Sequence, residues 1–214
     1  MFNLCSGFLI SNRALVTAGH CAVDALGLQQ QVGGSIGVSF DPRFGPTSQF
    51  IPATAVTVHP EILAKPFSYK SPDMAVLTLS ADVAGVDPID LPDEGQADNL
   101  RNGDLLTTVG YGLIQQCDTA LGHCQLAYDP ARRFATETVE SVSQWFLTVG
   151  QNPNSGGTGG VCYGDSGGPH LLAGTNTAVA LTTAIFSKLC YATSRDTRLD
   201  TRTALDFLTP YLDS

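Results

Sequence analysis

The chain has 214 residues, of which 14% are charged, with 22 glycines, 12 prolines and six cysteines. Charge well below the roughly 25% of ordinary soluble domains, with Gly and Pro plentiful, favours many short strands and turns over long surface helices. A formal net charge of −9 leaves no basic face, so neither nucleic acid nor an anionic membrane is expected as a partner. The length suffices for one ordinary domain or two small packed barrels, each with a real core, and does not choose between them.

Taken in order, residues 2–10 read as a strand and 13–18 as its hairpin partner across a Ser11-Asn12 turn. Residues 32–40, 49–59 and 74–79 read as further strands, with alternation clearest in Ala53-Thr54-Ala55-Val56-Thr57-Val58. Segments 41–48 and 60–72 are loops marked by Pro and Gly, and the Pro- and Asp-rich stretch 87–103 reads as a linker. Strands are expected again at 105–113, 134–142, 145–149 and 179–186, with a glycine-rich loop at 152–160. Residues 203–212 read as an amphipathic helix with Ala204, Leu205, Leu208 and Leu212 on one face. Residues 1–10 have no positive n-region and no sustained apolar stretch, so they are neither signal peptide nor membrane anchor.

Chemistry concentrates in Gly164-Asp165-Ser166-Gly167-Gly168-Pro169. A serine hydroxyl is a poor nucleophile at neutral pH and needs a base beside it, a tight backbone around it and donors for the oxyanion. Gly164 and Gly167 leave the backbone free to take strained dihedrals, so that the amides of Gly164 and Ser166 can face one oxyanion. The base comes from upstream, where Thr17-Ala18-Gly19-His20-Cys21 and Asp73-Met74-Ala75-Val76-Leu77 precede the serine. The order His, Asp, Ser separates this chain from the nucleophile elbow of α/β-hydrolases, which shares the G-x-S-x-G spacing but places acid and histidine after the serine. Only His170 follows Ser166, too near in sequence to turn back onto it, and it has no role in this reading.

These three motifs, in this order and with these separations, resemble those of the chymotrypsin/trypsin-like serine proteases, and the resemblance runs from about Cys5 to the C-terminus. It implies an all-β fold of two packed six-stranded antiparallel barrels with a C-terminal helix. Residues 1–92 would form the barrel carrying His20 and Asp73, and residues 93–214 the barrel carrying Ser166, the oxyanion hole and the S1 pocket. Cys5 pairs with Cys21 and Cys162 with Cys190 in that pattern, and Cys117 and Cys124 then close a short local loop. Three disulfides fit an oxidising, extracellular location. His59, before Pro60, is read as structural.

In the resemblance the base of the S1 pocket falls at Gly160, where trypsin-like members carry an aspartate. An uncharged pocket accepting an apolar or small P1 side chain follows. The opposite wall, at Phe186-Ser187-Lys188-Leu189, departs from the usual Ser-Trp-Gly. Ser187 is assigned to the pocket, and Lys188 is read with its head in solvent rather than inside. Asp165 corresponds to the residue that, in the family, pairs with a new N-terminal amine and orders the site. The family's opening segment has no match here, and Met1 is read as internal to a longer precursor or as a misassigned start.

The implied activity is peptide-bond hydrolysis through an acyl-enzyme, with no metal or organic cofactor. Protein or peptide substrates and protein inhibitors would be the partners of a monomer. Three readings stand against it: a catalytically silent homologue acting as a binding module, a chain inactive without its missing N-terminal segment, and an esterase of another fold.

Overall fold

The computed structural model describes residues 5–64, 72–118, 123–151 and 159–213. The expectations placed on 1–4, on most of the 60–72 loop and on 152–158 lie outside the described residues. Strands β1 (Phe8–Leu9) and β2 (Ala14–Thr17) form the opening hairpin, with Phe8 opposite Val16. Its turn is closed by Ile10 N donating to Ala14 O at 2.9 Å and by Ala14 N donating to Ser11 Oγ at 3.1 Å. All four residues of β2 are buried, so this strand runs through the core.

The first departure from expectation follows at once. Helix α1 occupies Gly19–Val32, 14 residues, and of the strand expected at 32–40 only β3 (Gly37–Val38) forms. The run after Cys21 contains no proline, one glycine and several strong helix formers, and it ends where Gly33 takes φ 73°. Then come β4 (Ile51–Val58), the short helix α2 (Pro60–Ala64) and β5 (Ala75–Leu79). The sheet order is β1-β2-β5-β4-β3. Among the described residues this is an open, five-stranded half-barrel, a correction to the six-stranded barrel expected here. The two-residue strands β1 and β3 are its edges and do not pair with each other. A cavity of about 630 Å³ lies between α1 and the sheet, lined by Leu28, Val32, Val38, Phe40 and Val56 among others.

The second sheet closes. Strands β6 (Leu105–Gly110), β9 (Arg133–Val142), β10 (Phe146–Gly150), β11 (Pro169–Leu172), β12 (Ala178–Ile185) and β13 (Thr193–Arg198) form a barrel in the order β10-β13-β12-β11-β6-β9. Between β6 and β9 a hairpin of β7 (Ile114–Asp118) and β8 (His123–Ala127) sets Cys117 opposite Cys124, and the two are bonded. The final helix α3 is Arg202–Leu208, shorter than expected; Thr201 caps it by accepting Ala204 N at 3.2 Å, and a 3-10 turn with Pro210 follows.

The two sheets share an apolar layer. Phe8, Ile10, Val16, Met74 and Val76 from the first pack with Leu181, Leu199, Ala204 and Leu208 from the second and from α3. Each large side chain buried there contributes about 1.5–3 kcal/mol. That layer brings one end of the half-barrel against one end of the barrel, and the three motifs meet along this line.

Candidate active site

Asp73 leads into β5 after a proline and is 3% exposed. Its Oδ1 accepts the main-chain N–H of His20 at 2.8 Å, and its Oδ2 accepts Nδ1–H of the same residue at 2.6 Å. Gly19 allows this approach, since a Cβ there would stand 3.0 Å from Oδ1. From the far side, Asp73 N donates to Thr197 Oγ1 at 3.3 Å, and Thr197 Oγ1 lies 2.8 Å from Thr183 Oγ1. Strands β12 and β13 of the barrel thus brace an acid that belongs to the half-barrel. A neutral imidazole that gives its Nδ1 proton to a carboxylate carries its basic lone pair on Nε2.

The serine loop is seated on the residues that precede His20. Gly167 has φ 84°, and a Cβ on it would lie 2.4 Å from Thr17 Oγ1 and 2.6 Å from Ala18 N. Ser6 pins the same loop: its N–H donates to Ser166 O and its hydroxyl to Gly164 O, both at 2.9 Å. The Cys5–Cys21 disulfide lies beside them. Cys21 Sγ is 3.5 Å from His20 Nε2 and 3.8 Å from Ser166 O, so imidazole and serine backbone flank one sulfur. Gly164 takes φ 99°, and among the described residues the amides of Gly164 and Ser166 donate to no protein acceptor.

Asp165 turns the other way, inward. Its two oxygens accept Gly112 N and Cys162 N, each at 2.8 Å. Burial pushes its carboxyl pKa up, and the two amides pull it down. The carboxylate occupies space that side chains at 110 and 112 would need, since a Cβ on Gly110 or Gly112 would fall 1.9 or 2.4 Å from its oxygens.

Gly160 and Ser187 stand on the two segments joined by the Cys162–Cys190 bond. Gly160 packs on Gln151, whereas Ser187 caps its own turn by accepting Leu189 N at Oγ, 3.3 Å, and Cys190 N at its carbonyl, 3.1 Å. Lys188 is exposed. His59 is buried edge-on to Phe207, 4.9 Å between ring centres, and burial lowers its pKa while Glu61 opposes this.

Behind the serine loop lies a polar cluster that the sequence reading missed. His170 on β11 is fully buried in the barrel; its Nδ1 pairs with Glu137 of β9, and its Nε2 lies 3.1 Å from Thr182 Oγ1 and 3.4 Å from Asp196 Oδ1. Burial pulls the imidazole pKa down, but Asp196 and Glu137 outweigh it and hold it well above its usual value. Burial raises the Glu137 carboxyl, and the imidazolium opposes that. The available signal was the period-two spacing of Ser194, Asp196 and Arg198, which reads as a solvent face until a polar interior is known.

Among the described residues the one grouping with metal-ligand spacing is Cys5, His20 and Cys21, and its two sulfurs are bonded to each other. No described helix is long and apolar enough to cross a membrane.

A half-barrel and a closed barrel, with a carboxylate-bound histidine and the Gly164–Gly168 serine loop at their junction, define a class of two-sheet β proteins. The sequence model of the Trypsin family matches residues 2–198, and the chain belongs to that family. It is 30% identical over 208 residues to chymotrypsin-like elastase family member 1 of Bos taurus, covering 94% of this chain and 75% of that protein. Trypsin 5G1 of Aedes aegypti is 29% identical over 193 residues, 84% of this chain and 64% of that one. Among solved structures, HL collagenase aligns with TM-score 0.69 at 18% identity, over 98% of this chain and 86% of that one. Human heparin binding protein aligns with TM-score 0.67 at 17% identity, over 99% and 86%. At such identities the two structures speak for the fold alone.

Proposed function

We propose that the chain is a serine endopeptidase. Ser166 Oγ attacks the scissile carbonyl while His20 Nε2 takes its proton; His20 then gives that proton to the leaving amine, and an acyl-Ser166 ester remains. Water deprotonated by the same nitrogen hydrolyses the ester, and the proton returns to Ser166. The N–H groups of Gly164 and Ser166 bind the oxyanion in both steps. Residues 1–92 supply His20 and Asp73, and residues 93–214 supply Ser166 and a pocket at Gly160 and Ser187 for an apolar or small P1 side chain. The three disulfides support an oxidising, extracellular setting.

The observation that carries this reading is the double hydrogen bond of Asp73 to His20 beside the seated Ser166 loop. Labelling by a fluorophosphonate, with the modified peptide mapped by mass spectrometry, together with cleavage of a denatured protein, tests it. Labelling of Ser166 with proteolysis is expected. Labelling without peptide cleavage would favour an esterase, and no labelling a silent homologue.

A further inference from the structure

We propose that His170, charged and buried in the barrel, is a positioning residue for the reaction: it holds the Asp165 carboxylate inward, and with it the Gly164–Ser166 backbone that binds the oxyanion. This rests on the peptidase reading above and adds to it a group that touches neither substrate nor the reacting atoms.

Strand β6 sets the two groups on one face. His170 pairs with Thr108 across β11 and β6, so its side chain shares the buried face on which Leu106, Thr108 and Gly110 alternate. The Asp165 carboxylate stands where Gly110 has no side chain. It is therefore one same-face step along β6 from the imidazole, about 7 Å. Among the described residues no cation touches that carboxylate, whose oxygens have only the amides of Gly112 and Cys162, each at 2.8 Å. Burial pushes its pKa up, the two amides oppose this, and His170 is the positive charge that adds to them. A second link runs through Thr182. Its Oγ1 lies 3.1 Å from His170 Nε2, while its main chain accepts Gly167 N at 2.8 Å and donates to Gly168 O at 2.9 Å.

The charges around His170 give the consequence. Facing it are Glu137 of β9 at Nδ1, Asp196 of β13 at 3.4 Å from Nε2, Asp165 from the serine loop, and the neutral hydroxyls of Thr182 on β12 and Thr108 on β6. With the imidazole charged, one cation stands among three acids. With it neutral, three carboxylates repel one another in a medium that screens them poorly. Glu137 and Asp196 are fully buried on strands, whereas Asp165 is not fully buried and lies on a loop. Asp165 is the group that can turn toward water, and doing so gives up its two amides and displaces Ser166, the next residue. Burial lowers the imidazole pKa, but Asp196 and Glu137 outweigh it, which keeps His170 charged at neutral pH.

The test follows the rate of Ser166 labelling by a small fluorophosphonate from about pH 6 to 10, with circular dichroism reporting the fold. Imidazole NMR of the four histidines, assigned by single His→Gln variants, reports the charge of His170 on the same protein. Labelling should fall about 10²-fold in a step where His170 loses its proton, with the fold intact. Glu137→Gln removes one of the anions that hold the proton, so the step and the His170 titration should move down together, by about 1–3 pH units. His170→Gln should label at the slow rate throughout. A neutral His170 at pH 7, or a labelling rate that stays level while His170 titrates in folded wild type, overturns the inference whether or not the variants fold. So does a folded His170→Gln that labels as fast as wild type, or a step that stays in place in Glu137→Gln while the titration moves. Absence of labelling in wild type at every pH overturns the peptidase reading instead, and this inference falls with it.

Discussion

Asp73 holds His20 at two points at once, Oδ1 on the main-chain N–H and Oδ2 on Nδ1, at 2.8 and 2.6 Å. The first bond fixes the start of α1 and the second fixes the ring, so the tautomer and the position of the base depend on one carboxylate. Asp73→Asn would retain an acceptor for the main chain but present an amide N–H to Nδ1, moving the ring proton to Nε2. In the Ser-His-Asp template drawn from this family that substitution costs about 10⁴-fold in kcat, and a drop of that size is expected here with the fold intact. Unchanged burst kinetics in the variant would reject Asp73 as the orienting acid.

Asp165 makes a second, independent prediction. Because a Cβ on Gly112 would lie 2.4 Å from Oδ2 and 2.5 Å from Cγ, Gly112→Ala must push the carboxylate off its amides. The Gly164–Ser166 backbone moves with it, and kcat should fall by about 10²–10³, the cost of losing an oxyanion donor. Gly27→Ala is the control: nothing lies within 4 Å of a Cβ there, in mid-helix, so it should leave turnover alone and stabilise by about 0.5–1 kcal/mol. Equal turnover in the two variants would contradict the account.

The buried imidazole sets a pH dependence of stability. Folded His170 has a pKa well above its unfolded value near 6.5, so the folded state keeps a proton that the unfolded chain releases above about that pH. Its contribution is complete below the unfolded pKa and is lost as pH rises through the folded one. Raised carboxyls at Glu137 and Asp165 act in the same direction at lower pH. Urea midpoints from pH 5.5 to 9 should fall with pH in wild type more steeply than in His170→Val. Parallel profiles would show that His170 is not the titrating group.

The Cys5–Cys21 bond, with a separation of 16 residues, ties Ser6 and His20 to one short stretch. Replacing both cysteines by Ala should lower stability by about 3 kcal/mol on the chain-entropy account. It should also slow Ser166 labelling, because the sulfur that spaces Nε2 from the serine loop is gone. A variant with lower stability and wild-type labelling would limit the bond to a structural role.

The elements that the sequence made legible share one property: a pattern that local physics explains. The hairpin about Ser11-Asn12, the alternation of 53–58 and the C-terminal helix are short-range signals, and each lies close to where it was read. Helix α1 was missed because residues 22–32 alternate poorly in either period, and what favours the helix there is the propensity of a run with one glycine and no proline rather than a buried face. Strand β13, Thr193–Arg198, was missed because it contains no apolar residue; its polar side chains are buried against His170, Thr183 and Asp200.

By itself, the sequence determined which groups are the candidates for reaction and in what order they fall, since His20, Asp73 and Ser166 sit in motifs marked by glycines and a cysteine. It also determined the absence of an acid at Gly160. Only the tertiary structure decided what packs on Gly160, what buries Asp165, and what balances His170. Those answers join residues on strands far apart in the chain, and a polar side chain gives no sign in sequence of whether water or another buried group will be its partner.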